Sequence, residues 1–163
     1  MNRVVLIAHN LRSTHNVGSL LRTAEGLGVE TVYLTGYTPY PVIENDPRLP
    51  HLSRKLDAQI HKTALGAESL VDVRVSEALN SIIDKLKADG FSLVALEQNE
   101  RSIDLADFKP ETKVALIVGR EVEGIEPEVL ELCDHIIEIP MKGQKESFNV
   151  VQAAAMALYV LCG

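Results

Sequence analysis

Short runs of aliphatic and β-branched residues alternate with amphipathic stretches along the whole chain. Six of these runs have the length and composition of strands, and they cover residues 3–8, 30–34, 71–75, 91–96, 113–118 and 135–139. Strands that alternate with helices in this way form a mostly parallel sheet with helices on both faces, because each parallel connection must cross over the sheet. We therefore predict an α/β fold.

Two of the intervening stretches follow the 3.6-residue period of a helix. Apolar residues recur every three or four positions within residues 17–27, and Asn16 is the predicted N-cap of that helix. The same pattern covers residues 78–86, with Ser76 as the predicted N-cap. Both stretches end close to a glycine, which is the usual stop signal of a helix.

The segment 36–51 departs from this pattern, because it contains four of the seven prolines. Such a segment is predicted to be a long loop and neither a regular helix nor a central strand. It leads into a small basic cluster formed by Arg48, His51, Arg54 and Lys55. This cluster is either an ordinary solvated surface or a contact for a polyanion.

The C-terminal stretch, residues 148–162, is apolar nearly all round and carries no charge. A helix of this kind is expected to be buried on every side, in a core or against another subunit, and a chain of 163 residues offers little material to surround it. We therefore predict a homodimer that uses this helix. Two amides in this stretch, Asn149 and Gln152, would then need backbone or ligand partners.

Composition limits the class of protein. The length and the 46% apolar content suit one domain that covers residues 1–163. Two cysteines cannot form a disulfide framework and no signal-peptide pattern begins the chain, so we predict a cytoplasmic protein with reduced thiols. The longest uncharged run is too short to span a membrane, and the histidines and cysteines show no metal-ligand spacing.

The formal net charge is −7 and is unevenly distributed. Residues 1–75 carry eight Lys/Arg against seven Asp/Glu, whereas residues 76–163 carry eight against sixteen. Any polyanionic partner is therefore expected to bind the N-terminal part. The alternative is that one face is acidic for solubility.

Three segments place glycines and polar residues where core packing does not explain them. The first reads Asn-x-Gly-x-x-x-Arg over residues 16–22, at the first strand–helix turn. Gly18 lies one helical turn before Arg22, and a glycine inside a helix leaves room for another backbone or for a ligand. The alternative is a capped helix with a surface arginine.

The second segment is a strand that runs into Gly-x-Glu-x-x-Gly at residues 119–124. Its spacing is that of a phosphate-binding loop, but Ile125 and Glu126 follow the second glycine where Lys and Ser/Thr are needed. Its carboxylates suit a neutral or cationic ligand. The third segment, residues 139–149, reads Ile-Pro-Met-Lys-Gly-Gln-Lys-Glu-Ser-Phe-Asn, and Ser147 is a natural N-cap for the helix that follows.

Together, in this order, the three segments resemble the three motifs of the SpoU branch of the SPOUT RNA methyltransferases, the relatives of the tRNA ribose methyltransferase TrmH. Residues 62–68 also resemble the family's central segment, so the resemblance covers essentially the whole chain. It leaves no room for the RNA-binding extensions of many relatives, and we expect a minimal form. The resemblance implies a dimer and a C-terminal trefoil knot, an exception to the rule that chains do not thread loops.

The resemblance further implies an RNA 2′-O-ribose methyltransferase that uses S-adenosylmethionine. By motif match, the cofactor would contact Leu96, Glu97, Gly119, Ile139, Met141, Ser147, Phe148 and Asn149. Arg22 matches the arginine to which the family assigns activation of the ribose hydroxyl. Because a guanidinium stays protonated, we expect Arg22 to hold an RNA phosphate and to stabilise charge on the ribose oxygen. Asn16, Glu121 and Asn149 would position Arg22 and the substrate.

RNA is thus the implied partner, and the small size favours tRNA over rRNA. The residues expected to contact RNA are Arg22, Arg48, Arg54 and Lys55. Two positions depart from the family pattern: Phe148 replaces a common Leu, and Val151 replaces a common small Ser. Neither change removes a polar group assigned to chemistry. The alternatives are a non-catalytic knotted RNA-binding dimer and an α/β domain that binds another small ligand.

Overall fold

The strands and helices follow the alternation that the hydrophobic pattern predicts. A computed structural model describes all residues, 1–163. The strands are β1 (Arg3–His9), β2 (Thr31–Thr35), β3 (Val73–Ser76), β4 (Ser92–Leu96), β5 (Ile103–Asp104), β6 (Lys113–Val118) and β7 (His135–Glu138). The helices are α1 (Thr14–Gly26), α2 (Pro50–Ala64), α3 (Leu79–Ala88), α4 (Pro127–Leu130) and α5 (Val150–Cys162), with a 3₁₀ turn at Ala67–Ser69.

All seven strands form one sheet, in the order β3-β2-β1-β6-β4-β7-β5. Every neighbouring pair is parallel, which confirms the predicted parallel α/β sheet. β7 is inserted between β4 and β5, two strands that precede it in the chain. The carboxyl ends of β4, β6 and β7 therefore lie side by side at one edge of the sheet.

Both faces of the sheet are covered, as the strand–helix alternation predicts. Along β1, Val4 and Leu6 belong to one buried cluster, with α1, α2 and α5. Val5 and Ile7 point the other way and belong to a second cluster, with α3 and α4. This division follows from the two-residue repeat of a strand, since successive side chains point to opposite faces. Leu6 and Ile7 are completely buried, so the core occupies both sides of β1.

The predicted loop over residues 36–51 is too long by two residues. Pro50 and His51 form the first turn of α2, where proline is tolerated because its missing N–H has no partner within the helix. The strand boundaries agree to within two residues, but the two-residue β5 was not predicted. So short a strand carries no alternation that could reveal it.

Three predicted N-caps are wrong by a few residues. Ser76 ends β3, and its hydroxyl accepts from the N–H of Ala78, which is the N-cap of α3. Ser13 caps α1, since its hydroxyl accepts a hydrogen bond from the Asn16 backbone N–H at 3.1 Å, and Asn16 lies inside the first turn. Asn149, and not Ser147, caps α5, because its side-chain oxygen accepts from the Val151 N–H at 2.8 Å. Each motif asparagine therefore lies at a helix start.

A single chain buries only one side of the C-terminal helix, and the homodimer that would cover the other side stays a prediction. One side of α5 is buried in the core through Ala154, Ala157, Leu158 and Leu161. The opposite side exposes apolar side chains, and Tyr159 is 74% exposed. Gln152 is exposed as well, so its amide does not need a buried partner.

Candidate active site

A cavity of about 270 Å³ opens at the carboxyl ends of β4, β6 and β7. This edge is where open α/β sheets bind ligands. The lining residues come from four chain segments: Leu96, Glu97, Gln98; Val118, Gly119, Arg120, Glu121, Val122, Glu123, Gly124; Glu138, Ile139; and Glu146, Ser147, Phe148, Val150, Ala153. The second motif and parts of the third thus meet in one cavity.

The Gly-x-Glu-x-x-Gly loop owes its shape to Glu97. The Glu97 carboxylate accepts a hydrogen bond from the Ile125 backbone N–H at 2.9 Å, and a Cβ at position 124 would collide with the same carboxylate. Gly124 also has φ +72°, in the region that favours glycine. A Cβ at Gly119 would lie 2.7 Å from the Ile125 side chain, so the first glycine makes room for Ile125.

Arg120 closes this loop on its other side. Its Nε donates to the Gly124 carbonyl at 3.0 Å, and the same guanidinium lies 3.7 Å from Glu126. Arg120 is the one basic residue in the cavity lining. The loop is therefore held by its own Arg120 and by the Glu97 carboxylate at the end of β4.

Glu121 joins the first motif to the second. Its carboxylate accepts hydrogen bonds from the backbone N–H groups of Arg12 and Ser13, at 3.2 and 3.1 Å, and lies 3.4 Å from the Asn16 amide nitrogen. Burial alone would raise the pKa of Glu121, but the hydrogen bonds from Ser13 and its neighbours outweigh burial and lower it. An ionised carboxylate therefore anchors the start of α1 beside the cavity.

The third motif divides between the cavity wall and the surface. Ile139, Ser147 and Phe148 line the cavity, as the cofactor assignment expects. Met141 is half-buried and Asn149 is exposed at the start of α5, and neither belongs to the wall of the single chain.

Arg22 is exposed on α1 and does not line the cavity of its own chain. It lies six residues beyond Asn16, or about 9 Å along the helix axis. Gly18 permits close packing of α1 on α2, since a Cβ there would collide with the Thr63 hydroxyl and the Ile60 carbonyl. The room that this glycine leaves is thus occupied by another backbone.

The basic cluster does not act as one surface. The Arg48 guanidinium binds the Asp46 carboxylate at 2.6 Å, donates to the carbonyls of Tyr40 and Pro41 at 2.8 and 2.9 Å, and stacks 3.5 Å from the centre of the Tyr40 ring. Its side chain is only 12% exposed. We therefore omit Arg48 from the RNA contacts, whereas Arg54 and Lys55 are exposed on α2.

Several wall residues were not predicted from the sequence. They are Gln98, Arg120, Val122, Glu123, Glu138, Glu146, Val150 and Ala153. Arg120, Val122 and Glu123 lie within the second motif, and Glu146 lies within the third segment, so their position there was the available signal. The others depend on how β7 and α5 approach β4, which no local pattern records.

Other chemistries find no support among the remaining residues. Burial raises the pKa of the Cys133 thiol to about 12, so it is not an activated nucleophile. No group of three or more metal-ligating side chains comes together. No helix has the length and hydropathy that crossing a membrane requires.

Comparison with known proteins identifies the family. The sequence model of the SpoU rRNA Methylase family matches residues 3–159, and the chain belongs to that family. It is 29% identical over 160 residues to the tRNA (guanosine(18)-2′-O)-methyltransferase of Borreliella burgdorferi, covering 98% of this chain and 66% of that protein. It is 32% identical over 155 residues to a TrmH family protein of Staphylococcus epidermidis, covering 95% of this chain.

The fold agrees with this assignment. The AdoMet-bound rRNA methyltransferase of Sinorhizobium meliloti superposes with a TM-score of 0.82 at 21% identity, over 98% of this chain and 55% of that one. The chain spans only 66% and 56% of the lengths of the two curated relatives.

Proposed function

We propose that this chain transfers a methyl group from S-adenosylmethionine to a ribose 2′-hydroxyl of RNA, with tRNA as the more favoured substrate. The observation that carries the proposal is the Glu121 junction, which ties Asn16 of the first motif and the start of α1 to the wall of the cavity formed with the other two motifs. The activity of the Borreliella burgdorferi relative supports this reaction and this class of RNA.

The cavity lining fits S-adenosylmethionine in its charge and in its apolar surfaces. Five carboxylates line it, those of Glu97, Glu121, Glu123, Glu138 and Glu146, against one guanidinium. Such a lining favours a cationic sulfonium over a phosphorylated ligand. Apolar side chains such as Ile139 and Phe148 offer surfaces for an adenine ring. The AdoMet bound to the Sinorhizobium meliloti neighbour supports the same cofactor here.

The reaction is an in-line displacement, in which the ribose oxygen forms a bond to the methyl carbon while the carbon–sulfur bond breaks. The cofactor supplies the activated methyl group. The role of this chain is to hold the ribose in line, which accounts for much of the acceleration in reactions of this kind. Arg22 would hold the neighbouring phosphate and stabilise charge on the oxygen, while Asn16 and Asn149 position the strand.

We infer that Arg22 of the partner subunit completes each site. Arg22 does not reach the cavity wall of its own chain, and α1 packs against α5. The exposed face of α5 presents Met156, Tyr159 and Val160, an apolar surface suited to a second copy of this chain. A dimer through this face would lie beside α1 and its Arg22.

Further features of the family extend to this chain as proposals. The insertion of β7 between β4 and β5 supports a trefoil knot in the C-terminal part. We propose that residues 1–163 act as one methyltransferase domain. Both cysteines are free thiols, which supports the cytoplasm as the site of action.

Cofactor binding and transfer to RNA test the function separately. Titration calorimetry is expected to show one S-adenosylmethionine site per chain, and Ala153→Phe, which fills the cavity, is expected to abolish it. Arg22→Ala is expected to lower methyl transfer to bulk tRNA by about 100- to 1000-fold and to leave cofactor affinity unchanged. Parallel loss of both would mean that the role of Arg22 is wrong. RNA binding without transfer by the wild type would favour the non-catalytic dimer.

A mixed dimer tests the contribution of the partner. The Arg22→Ala and Ala153→Phe chains are each expected to be inactive alone. Co-expressed with different tags and purified as the mixed dimer, they would form one site with an intact cavity and an intact Arg22 from the other chain. Recovered transfer supports the shared site, whereas an inactive mixed dimer would place Arg22 in the site of its own chain.

A further inference from the structure

Arg12 and Tyr37 form an exposed pair beside the cavity entrance. The Arg12 guanidinium lies 3.9 Å from the carboxylate of Glu123, which lines the cavity. The chain neighbours of the two residues are in contact, since the Leu11 N–H donates to the Thr38 hydroxyl at 3.1 Å. The Tyr37 side chain, followed by the charge of Glu123, raises the pKa of Arg12. The Arg12 side chain is 73% exposed and Tyr37 is 52% exposed.

The backbone at both positions is held firmly. The Glu121 carboxylate accepts from the Arg12 N–H, as described above, and the Asn10 side-chain oxygen accepts from the Tyr37 N–H at 3.1 Å. The Asn10 amide nitrogen donates to Glu126 at 3.0 Å. Gly36 is needed for this arrangement, because a Cβ there would collide with the Asn10 side chain. The side chains of Asn10, Glu121 and Glu126 thus fix the backbone at Arg12 and Tyr37.

No carboxylate, however, lies within hydrogen-bond distance of the Arg12 guanidinium. Other exposed arginines donate to a carboxylate at short range, as in Arg3 with Glu30 at 2.7 Å and Arg74 with Asp72 at 3.0 Å. The contact of Arg12 with Glu123 is at 3.9 Å and is not a hydrogen bond. An exposed ion pair of this kind contributes little stability, so an arriving phosphate can displace the carboxylate at low cost.

We propose that Arg12 and Tyr37 form a nucleotide-docking site at the cavity rim, in which Arg12 binds a phosphate and the Tyr37 ring stacks on a base of the RNA strand entering the cavity. A guanidinium matches a phosphate with two parallel hydrogen bonds, and an aromatic face accepts any base. The site therefore binds a nucleotide that flanks the methylated one, without strong base preference. This inference rests on the proposed function, because it takes RNA as the substrate of the cavity.

The test compares RNA affinity with transfer in four variants of the full chain. Binding of bulk tRNA is measured by filter binding in the presence of saturating sinefungin, an unreactive cofactor analogue, over a range of salt concentrations. The variants are Arg12→Gln, Tyr37→Leu, Tyr37→Phe and the control Arg74→Gln. Arg74 is a matched control, since it is an exposed arginine on β3, three strands from β6.

Arg12→Gln is expected to weaken tRNA binding about fivefold and to reduce the slope of log affinity against log salt by about 0.7, the loss of one phosphate contact. Tyr37→Leu is expected to weaken binding about tenfold, whereas Tyr37→Phe keeps the ring and stays within about twofold of the wild type. Each loss should appear as a higher KM for tRNA with kcat nearly unchanged. Cofactor affinity and Tm confirm that the variants are folded.

The outcomes separate the docking site from the activity. If the wild type transfers methyl groups but Arg12→Gln and Tyr37→Leu bind tRNA as well as Arg74→Gln does, the docking site is wrong and the proposed function stands. If the wild type binds tRNA without transferring a methyl group, the function fails, and the variant affinities still decide the docking site. A wild type that does not bind tRNA overturns both.

Discussion

The proline-rich segment and the cavity rim use arginine in opposite ways. In residues 36–49, Arg48 is almost buried and directs its donors to Asp46 and two carbonyls. In residues 10–16, Glu121 binds the backbone and leaves the Arg12 guanidinium exposed. The first arrangement stabilises a loop, whereas the second presents a cation to solvent. Because the Glu121 carboxylate holds the backbone at Arg12, the Arg12 side chain is not needed to hold the segment and can bind a substrate.

Glu121→Ala should give the largest effect on activity among the variants that test this difference. It removes the acceptor shared by Arg12, Ser13 and Asn16, so the start of α1 loses its position relative to the cavity. We expect methyl transfer to fall by about 100-fold, since small misplacements of a reacting group have effects of this size. Steady-state kinetics measures it. Glu44→Ala is the control, since Glu44 is exposed and lies outside the cavity wall, and it is expected to change transfer less than about twofold. Equal losses in both variants would remove the anchoring role of Glu121.

Gly18→Ala tests the scaffold beneath the rim. The added methyl group would collide with the Ile60 carbonyl on α2, and an overpacked contact of this kind destabilises by about 2 kcal/mol. Gly26→Ala, in the same helix with open space around it, should be neutral or slightly stabilising. Urea denaturation compares the two free energies of unfolding. A free energy of unfolding that Gly18→Ala leaves unchanged would contradict this, and would mean that α2 moves away from the added methyl group without loss of stability.

Arg48→Ala should destabilise the chain without affecting RNA binding. Loss of the bonds to Asp46, Tyr40 and Pro41 is expected to lower Tm by about 5 °C. Arg54→Ala, on the exposed face of α2, should change Tm by less than about 1 °C. Differential scanning calorimetry and tRNA binding are the readouts. Weaker tRNA binding by folded Arg48→Ala would restore Arg48 to the RNA contacts.

The Asp46 carboxylate makes the stability of the same loop depend on pH. Hydrogen bonding and charge from Arg48 lower the pKa of Asp46 below its ordinary value of 3.8. The folded state thus favours the ionised carboxylate. The stability that this adds to the fold is fully present above the ordinary pKa of 3.8 and is lost as the pH falls below it. Asp46→Asn should be less stable than the wild type near neutral pH, and the gap should narrow below about pH 4. Urea titrations at several pH values measure it, and a gap independent of pH would contradict the ion pair.

The sheet was predictable because its signal is local. Residues 113–118 were predicted as a strand with the bounds that the structure shows, since a short apolar run with three β-branched residues has the length and composition of a buried strand. For α5 the sequence predicts burial in the core or against another subunit but not which side meets which, because the helix is apolar on both sides. Composition cannot tell a helix surrounded by its own chain from one that presents a face to another molecule.

The candidate site was predictable only in part. The motifs placed Glu97, Gly119 and Phe148 at the cavity, and they lie there. The Glu121 hydrogen bonds to Arg12 and Ser13 join residues more than 100 positions apart, and nothing in either segment records them. The saturation of Arg48 by carbonyls was equally hidden, because backbone acceptors carry no sequence signature.

The most direct test of the central claim is the chemical identity of the product. Bulk tRNA incubated with the protein and methyl-labelled S-adenosylmethionine is digested to nucleosides, which are separated and analysed by mass spectrometry. The cavity and the motifs predict that the label is on a 2′-O-methylated ribose, and that it is lost in Arg22→Ala. Label on a base, or cofactor binding with no labelled nucleoside in tRNA or rRNA, would contradict the account.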